Sequence, residues 1–330
     1  MKPKIKIFSL GGTIASVANE HTDGVAPSLG ADALISGIPE LSDLADIETE
    51  TFRKLPSPYI TFDDILALAR EIEKSKSSGL NGIVVTQGTD TLEETAFLLD
   101  RIYTGKVPVV ITGAMRNPTL PGADGPANLL HSVMVASAKN ASDLGVIVVF
   151  NGDIHAARYV RKNHTQNPAA FCSAPIGKIG WIAENSVRII SQPLSRQIFE
   201  LENRAVMGKV ALLKVSMSDD GCLINSVIEQ KFDGLVIEAT GGGHVTEKMI
   251  EPLMRAIALM PVVMVSRTGC GEVLRETYMF PGSEMDLLDR GIINGGWLDG
   301  PKARIMLSLL IARKAKKEDI KQAFSSWLGD

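Results

Sequence analysis

Several things are missing from this chain, and each absence removes a class of function. No run approaches the ~20 consecutive apolar residues of a membrane-spanning helix. The N-terminus, Met1-Lys2-Pro3-Lys4, runs straight into a strand-like segment without the apolar stretch of a signal peptide, so a cytoplasmic protein is expected. The three cysteines, Cys172, Cys222 and Cys270, are odd in number and form no CxxC, which argues against a zinc ribbon or a disulfide scaffold. Aromatic residues are only 5% of the total, leaving Leu, Ile, Val, Ala and Met to fill the core. No basic stripe suited to a phosphate backbone occurs, and the net charge is a mild −4, so no nucleic-acid partner is expected. The most basic stretch, Lys314-Ala315-Lys316-Lys317, reads as a solvated helix face. Neither GxGxxG nor GxxxxGK[ST] is present, nor a GxSxG elbow, nor HExxH among the five histidines. No metal or other cofactor is expected.

What remains is a 330-residue chain, 45% hydrophobic and 22% charged, with ample material for a core. Short apolar, β-branched runs lie at residues 5–10, 82–86, 107–112, 146–150, 210–215, 235–239 and 261–265. Helical patterns fall between them at 62–76, 92–102, 123–138, 246–259 and 302–315. Strands without polar alternation suit a parallel sheet covered on both faces. The expected fold class is therefore α/β, a larger N-terminal parallel-sheet domain with a smaller C-terminal α/β domain. The strand and helix rhythm stops at a polar, proline-interrupted stretch beginning Ser191-Gln192-Pro193 and restarts at Val210. This suggests an N-terminal domain over 1–190, a linker over 191–209 and a C-terminal domain over 210–330.

Ligands of open α/β sheets bind beyond the carboxyl ends of the strands. Gly11-Gly12-Thr13 follows the first strand: either a plain turn with a capping threonine, or a tight backbone approach presenting a hydroxyl to a ligand. Gly88-Thr89-Asp90-Thr91 follows the second apolar strand. Thr91 with Glu94 has capping-box spacing. Asp90 is then either a second capping group or a carboxylate for a substrate ammonium or a proton relay. Lys162 reads as a surface charge, or as the lysine of a Thr–Lys–Asp set that activates a weak nucleophile. His244, after Gly241-Gly242-Gly243, marks a flexible turn or a close backbone approach.

At these residues the chain resembles the bacterial-type L-asparaginases (the asparaginase/glutaminase family) along essentially its whole length. Gly11-Gly12-Thr13-Ile14-Ala15 is similar to one family signature and Gly88-Thr89-Asp90-Thr91-Leu92-Glu93-Glu94-Thr95-Ala96 to the other. Thr112-Gly113-Ala114-Met115-Arg116 and Ala123-Asp124-Gly125-Pro126-Ala127-Asn128-Leu129 follow. The resemblance implies hydrolysis of L-asparagine through a β-acyl-threonine, with possible side activity on L-glutamine. It makes Thr13 the primary nucleophile and Thr89, Asp90 and Lys162 the second reactive cluster. Asp90 would also grip the substrate α-amino group and Ser57 its α-carboxylate. Gly88 would line the substrate, and the Ala114 carbonyl would receive ammonia. Glu284 and His244 would be contributed from the C-terminal domain of a neighbouring subunit, in a dimer or dimer of dimers with the site at its intimate interface. Three departures from the family pattern stand out. No tyrosine lies between Ala15 and Gly30, Gln87 stands where histidine is common, and Pro58 replaces a polar contact. Tyr278 or Tyr59 is the expected substitute for the lid phenol. The rival readings are a non-catalytic amino-acid sensor and the ammonia-generating subunit of an amidotransferase.

Overall fold

The all-apolar runs become the interior of a sheet. In the computed structural model, which describes residues 1–18, 25–75, 78–193, 196–202 and 205–328, Gly82–Thr86, Val109–Thr112 and Val146–Phe150 are buried at every position. With Lys4–Gly11 and Asp46–Leu55 they form the parallel part of an eight-stranded sheet. From Asp46–Leu55 at one edge, its order runs through Lys4–Gly11, Gly82–Thr86, Val109–Thr112 and Val146–Phe150. It ends with the antiparallel strands Asp153–Ala156, Gly180–Ala183 and Ser186–Ile189.

Both faces are covered. Ile5, Ile7, Val84, Val110 and Ile147 pack with Leu129, Val133 and Ala136 of the helix Gly125–Ser137. Phe8, Val85, Ile111 and Val148 point the other way and are equally buried. On that side Leu92–Ile102 packs on the strands Val109–Thr112 and Val146–Phe150, and Phe62–Ser75 packs on Leu92–Ile102. Each such buried side chain contributes roughly 1.5–3 kcal/mol relative to exposure.

The chain divides into two compact units, Met1–Ile198 and Phe199–Asp330. The second carries its own parallel sheet in the order Val210–Lys214, Gly234–Ala239, Val262–Ser266, Ile293–Asn294. Cys222–Glu229 and Ile250–Leu259 bury Ile224, Val227, Leu253 and Ala256 in its core. Gly300–Ala312 packs on the first three of these strands, its first turn capped by the Asp299 carboxylate, which accepts from Lys302 N at 2.9 Å. The class is thus α/β in both units, the larger one N-terminal. Residues 194–195 and 203–204 of the expected linker lie outside the described residues.

The structure adds elements that hydrophobic patterning does not reveal. Asp46–Leu55 reads DIETETFRKL, with no fully buried position, because it is an edge strand paired with Lys4–Gly11. Its acids serve the sheet surface: Lys6 Nζ pairs with Glu48 at 3.0 Å and Glu50 at 2.9 Å. Lys314-Ala315-Lys316-Lys317 is solvated as expected but is not a helix face. Lys314, Ala315 and Lys316 lie in the connection between Gly300–Ala312 and Lys317–Ser325, with Lys314 left-handed at φ 56°, and Lys317 opens the second helix.

One buried group ties the fold to pH. His155 lies inside the strand Asp153–Ala156, with Nδ1 2.8 Å from the buried Ser173 hydroxyl. Burial pushes the imidazole from 6.5 down to about 4, against the pull of Asp153 and with a small push from Lys178. As pH falls the unfolded chain takes up this proton first. Stability tied to neutral His155 is therefore intact above about 6.5 and lost progressively down to about 4. The gap is worth up to ~3 kcal/mol. Urea unfolding of the wild-type chain should show that loss between pH 7 and pH 4.5, and His155→Asn should show a drop smaller by roughly 2 kcal/mol. Equal drops in both proteins would mean that His155 does not carry the effect.

Candidate active site

The site begins with two strand ends that touch. Ser9 lies opposite Thr86 in the parallel pair, so the turns that follow leave the sheet side by side. Gly11 and Gly12 turn there with φ of 105° and 83°, a left-handed region that glycine enters without penalty. A Cβ on Gly12 would sit 2.0 Å from Gly88 N, and one on Gly88 would sit 2.8 Å from Ser57 Oγ. Immediately after each glycine a short 3₁₀ turn starts, Thr13–Ala15 in one case and Thr89–Thr91 in the other. A third, Ser57–Tyr59, follows the edge strand. Thr13, Ser57, Gly88, Thr89, Asp90 and Lys162 line one cleft of about 250 Å³.

Within it the lysine joins two neighbours. Lys162 Nζ donates to Thr89 Oγ1 at 2.9 Å and to Asp90 Oδ1 at 2.6 Å. The lysine side chain is 15% exposed and the Asp90 side chain 62%, so the carboxylate faces the open cleft. Asp90 is thus not a cap. Its backbone N–H donates to Ser57 Oγ at 3.2 Å, and Thr91 Oγ1 donates to the Ser57 carbonyl at 2.9 Å. This overturns the capping-box reading of Thr91 and Glu94. Thr91 stands at the N-cap of Leu92–Ile102 but makes no side-chain cap bond; its hydroxyl is turned instead to the Ser57 loop. Among the described residues, the Thr13 hydroxyl has no hydrogen-bond partner and opens on the same cleft.

The wall after Val109–Thr112 is held from the next helix. Asp124 Oδ2 accepts from Met115 N at 2.9 Å and Oδ1 from Arg116 N at 2.8 Å, while Asn128 Nδ2 donates to the Gly113 carbonyl at 3.0 Å. Gly125 keeps the helix close, since its Cβ would come within 3.0 Å of Ile14 and 3.4 Å of Ala114. Ala114 is fully buried, and Met115 is the neighbour that faces the cleft. Ser16, Met115 and Thr165 also line it; no motif pointed to Ser16 or Thr165, and Met115 lay in a family-like segment without a role of its own.

The remaining nominated residues fall elsewhere. Glu284 opens the helix Glu284–Asp289 in the second unit and is completely buried. Its Oε1 accepts from Thr277 N at 3.0 Å and Tyr278 N at 2.7 Å, and its Oε2 lies 3.0 Å from His244 Nε2. Burial pushes the Glu284 carboxyl up, but the Tyr278 and Thr277 amides and His244 outweigh it and hold it below the usual range. Tyr278 lies edge-on to His244 with ring centres 5.0 Å apart. Tyr59 is 69% exposed and is not among the residues lining the cleft, whereas Pro58 is. Gln87 is fully buried, and among the described residues neither end of its amide has a hydrogen-bond partner. Of the segment between Ala15 and Gly30, Ser16–Ala18 pairs antiparallel with Val25–Pro27, and residues 19–24, including His21, lie outside the described residues. No cluster of potential metal ligands occurs among the described residues.

With that geometry established, comparison with known proteins is direct. Residues 4–195 match the family described as "Asparaginase, N-terminal", and residues 209–324 match "Glutaminase/Asparaginase C-terminal domain". The chain belongs to the asparaginase family. An L-asparaginase of Bacillus licheniformis is 34% identical, aligned over 98% of this chain and 99% of its own. A structure described as a probable cytoplasmic L-asparaginase from Campylobacter jejuni superposes with a TM-score of 0.91 at 31% identity, covering 98% of this chain and 99% of that one. A glutamyl-tRNA(Gln) amidotransferase component from Methanobrevibacter smithii is 35% identical over 94% of this chain and 73% of its own length. In this asparaginase-family chain the glycine contact yields a sharp expectation. Gly12→Ala must separate the two turns, so the protein should lose several kcal/mol of stability or, if it folds, nearly all turnover. A folded Gly12→Ala protein with wild-type kcat would show that the close approach is dispensable.

Proposed function

We propose that this chain hydrolyses L-asparagine to L-aspartate and ammonia, with L-glutamine as a slower substrate, using threonine hydroxyls. The observation that supports this most strongly is the Lys162 ammonium shared between the Thr89 hydroxyl and Asp90, with the Thr13 hydroxyl on the same cleft. That is the donor set needed to turn a weakly nucleophilic hydroxyl into a reactive one.

Thr13 Oγ attacks the amide carbon, and the backbone N–H groups of Thr13 and Thr89 hold the oxyanion. The C–N bond breaks as the proton given up by the Thr13 hydroxyl reaches the nitrogen, and ammonia departs past the Ala114 carbonyl. Water then adds to the β-acyl-threonine, the C–Oγ bond breaks, and Thr13 regains its proton with help from Thr89, Lys162 and Asp90. Asp90 grips the substrate α-amino group and Ser57 its α-carboxylate, with Gly88 as the floor between them. Glu284, with His244 at its edge, completes the α-amino site from the partner subunit of a homodimer or dimer of dimers. Of the two tyrosines considered for the missing lid phenol, Tyr278 abuts Glu284 and His244 and is the one retained. Tyr59 is set aside. Residues 1–190 and 210–330 serve as the two asparaginase domains, joined through 191–209, in a cytoplasmic enzyme that needs no metal or other cofactor.

Asparagine and glutamine differ by one methylene, worth only ~1–3 kcal/mol in a pocket. Ammonia release from both, and from their D-forms, tests the reading directly. Wild-type protein should turn over L-asparagine fastest, and Thr13→Ala and Thr89→Ala should each lower kcat by about 10³-fold or more. Tight asparagine binding without ammonia release would favour a sensor instead, and a Thr13→Ala protein at wild-type rate would remove Thr13 from the mechanism.

A further inference from the structure

Lys162 is central to the cleft, yet its backbone has a slight scaffold. It belongs to Arg161–Lys162, paired antiparallel with Phe171–Cys172, a ladder of two residue pairs. The strands that carry Thr13 and Thr89 are buried in an eight-stranded sheet, whereas this one lies outside it. Asn163 N closes the hairpin onto the Ala170 carbonyl at 2.7 Å. The Lys162 amide does something else: it donates to Glu93 Oε2.

Glu93 is the second residue of Leu92–Ile102, a helix whose Leu92, Thr95, Ala96, Phe97 and Leu98 are all buried. Its backbone is therefore anchored by the packed face of that helix. The same short segment grips the lysine at both ends, Thr89 and Asp90 at Nζ and Glu93 at the main chain. A carboxylate is a strong acceptor for an amide N–H, and in the first turn of a helix it is also favoured by the macrodipole. We propose that Glu93 is a positioning residue that sets the reach of Lys162 by anchoring its backbone to the helix following Thr89. This inference deepens the proposed hydrolysis and rests on that reading for its effect on turnover.

The competing explanation is that Glu93 only stabilises the first turn of its helix. The two separate cleanly, because a helix-stabilising role does not depend on the lysine side chain. Displacement of a reacting group by about 1 Å can cost on the order of 10²-fold in rate. Glu93→Ala should lower kcat roughly 10- to 100-fold with KM held within about 3-fold. Glu93→Gln keeps an acceptor oxygen and should recover to within about 5-fold of wild type. In a Lys162→Met background, assayed at high enzyme concentration, Glu93→Ala should lower the residual rate by less than about 2-fold. Its effect on Tm should be the same in both backgrounds, since the bond is to the main chain.

Hydrogen exchange of the peptide carrying the Lys162 amide gives a readout that needs no turnover. It should speed up in Glu93→Ala and not in Glu93→Gln. The inference is overturned if exchange does not change, if Glu93→Ala keeps wild-type kcat, if Gln fails to rescue, or if the loss is equally large without the lysine side chain. Wild-type protein that released ammonia from no amide would instead sink the proposed function, and exchange would still judge the anchor.

Discussion

Between Gly12 and Gly88 there is no room for a single carbon, since a Cβ on the first would stand 2.0 Å from the backbone nitrogen of the second. That contact converts two adjacent strands into one site. Neighbouring strands of a sheet lie ~4.8 Å apart, and the turns leaving them ordinarily diverge to make space for side chains. Here both turns begin with glycine and stay in contact, so the residues that follow, Thr13 and Thr89, come onto one cleft. The left-handed φ values at Gly11 and Gly12 are part of the same constraint, because a side chain would disfavour both the conformation and the approach.

Around this contact the loops are fixed by hydrogen bonds to atoms that are themselves anchored. Thr91 and the Asp90 amide hold Ser57, while Asp124 and Asn128 hold residues 113–116. Both sets use side chains placed at the start of helices, where capping would be their ordinary use. Neither Thr91 nor Asp124 makes a side-chain cap bond. Local helix stability is given up for loop position, the pattern expected where a site must be preorganised.

This trade explains how far the sequence could be read. The strands 82–86 and 146–150 were legible to the residue, because a strand buried on both faces has one unambiguous signature. Asp46–Leu55 was not, since an edge strand advertises charge rather than burial, and it is the strand that delivers Ser57. Thr91 was misread because capping-box spacing is a local signal and its partner lies 34 residues away. The Lys162 contacts with Thr89 and Asp90 span more than 70 residues, so spacing alone left the lysine open between surface charge and active group. Ser16 and Thr165 carried no signal at all, and Met115 none beyond its place in a family-like segment. Each is a common residue made significant only by where its loop ends.

The second unit follows a different logic. Glu284 is a fully buried carboxylate, and such a group is costly unless its lone pairs are occupied. Two backbone amides from residues 277 and 278 and the His244 ring occupy them, all from its own unit. Desolvation and hydrogen bonding thus oppose one another, and the depressed pKa shows that the donors prevail. A carboxylate kept ionised and held on three sides has a fixed orientation. Because Oε1 already accepts from two amides, a further donor reaching this group is confined to the Oε2 side that His244 occupies. The imidazole thus covers the oxygen that the two amides leave open. Because an ionised carboxylate only accepts, the His244 nitrogen facing Oε2 carries the proton, which fixes the ring as a donor there.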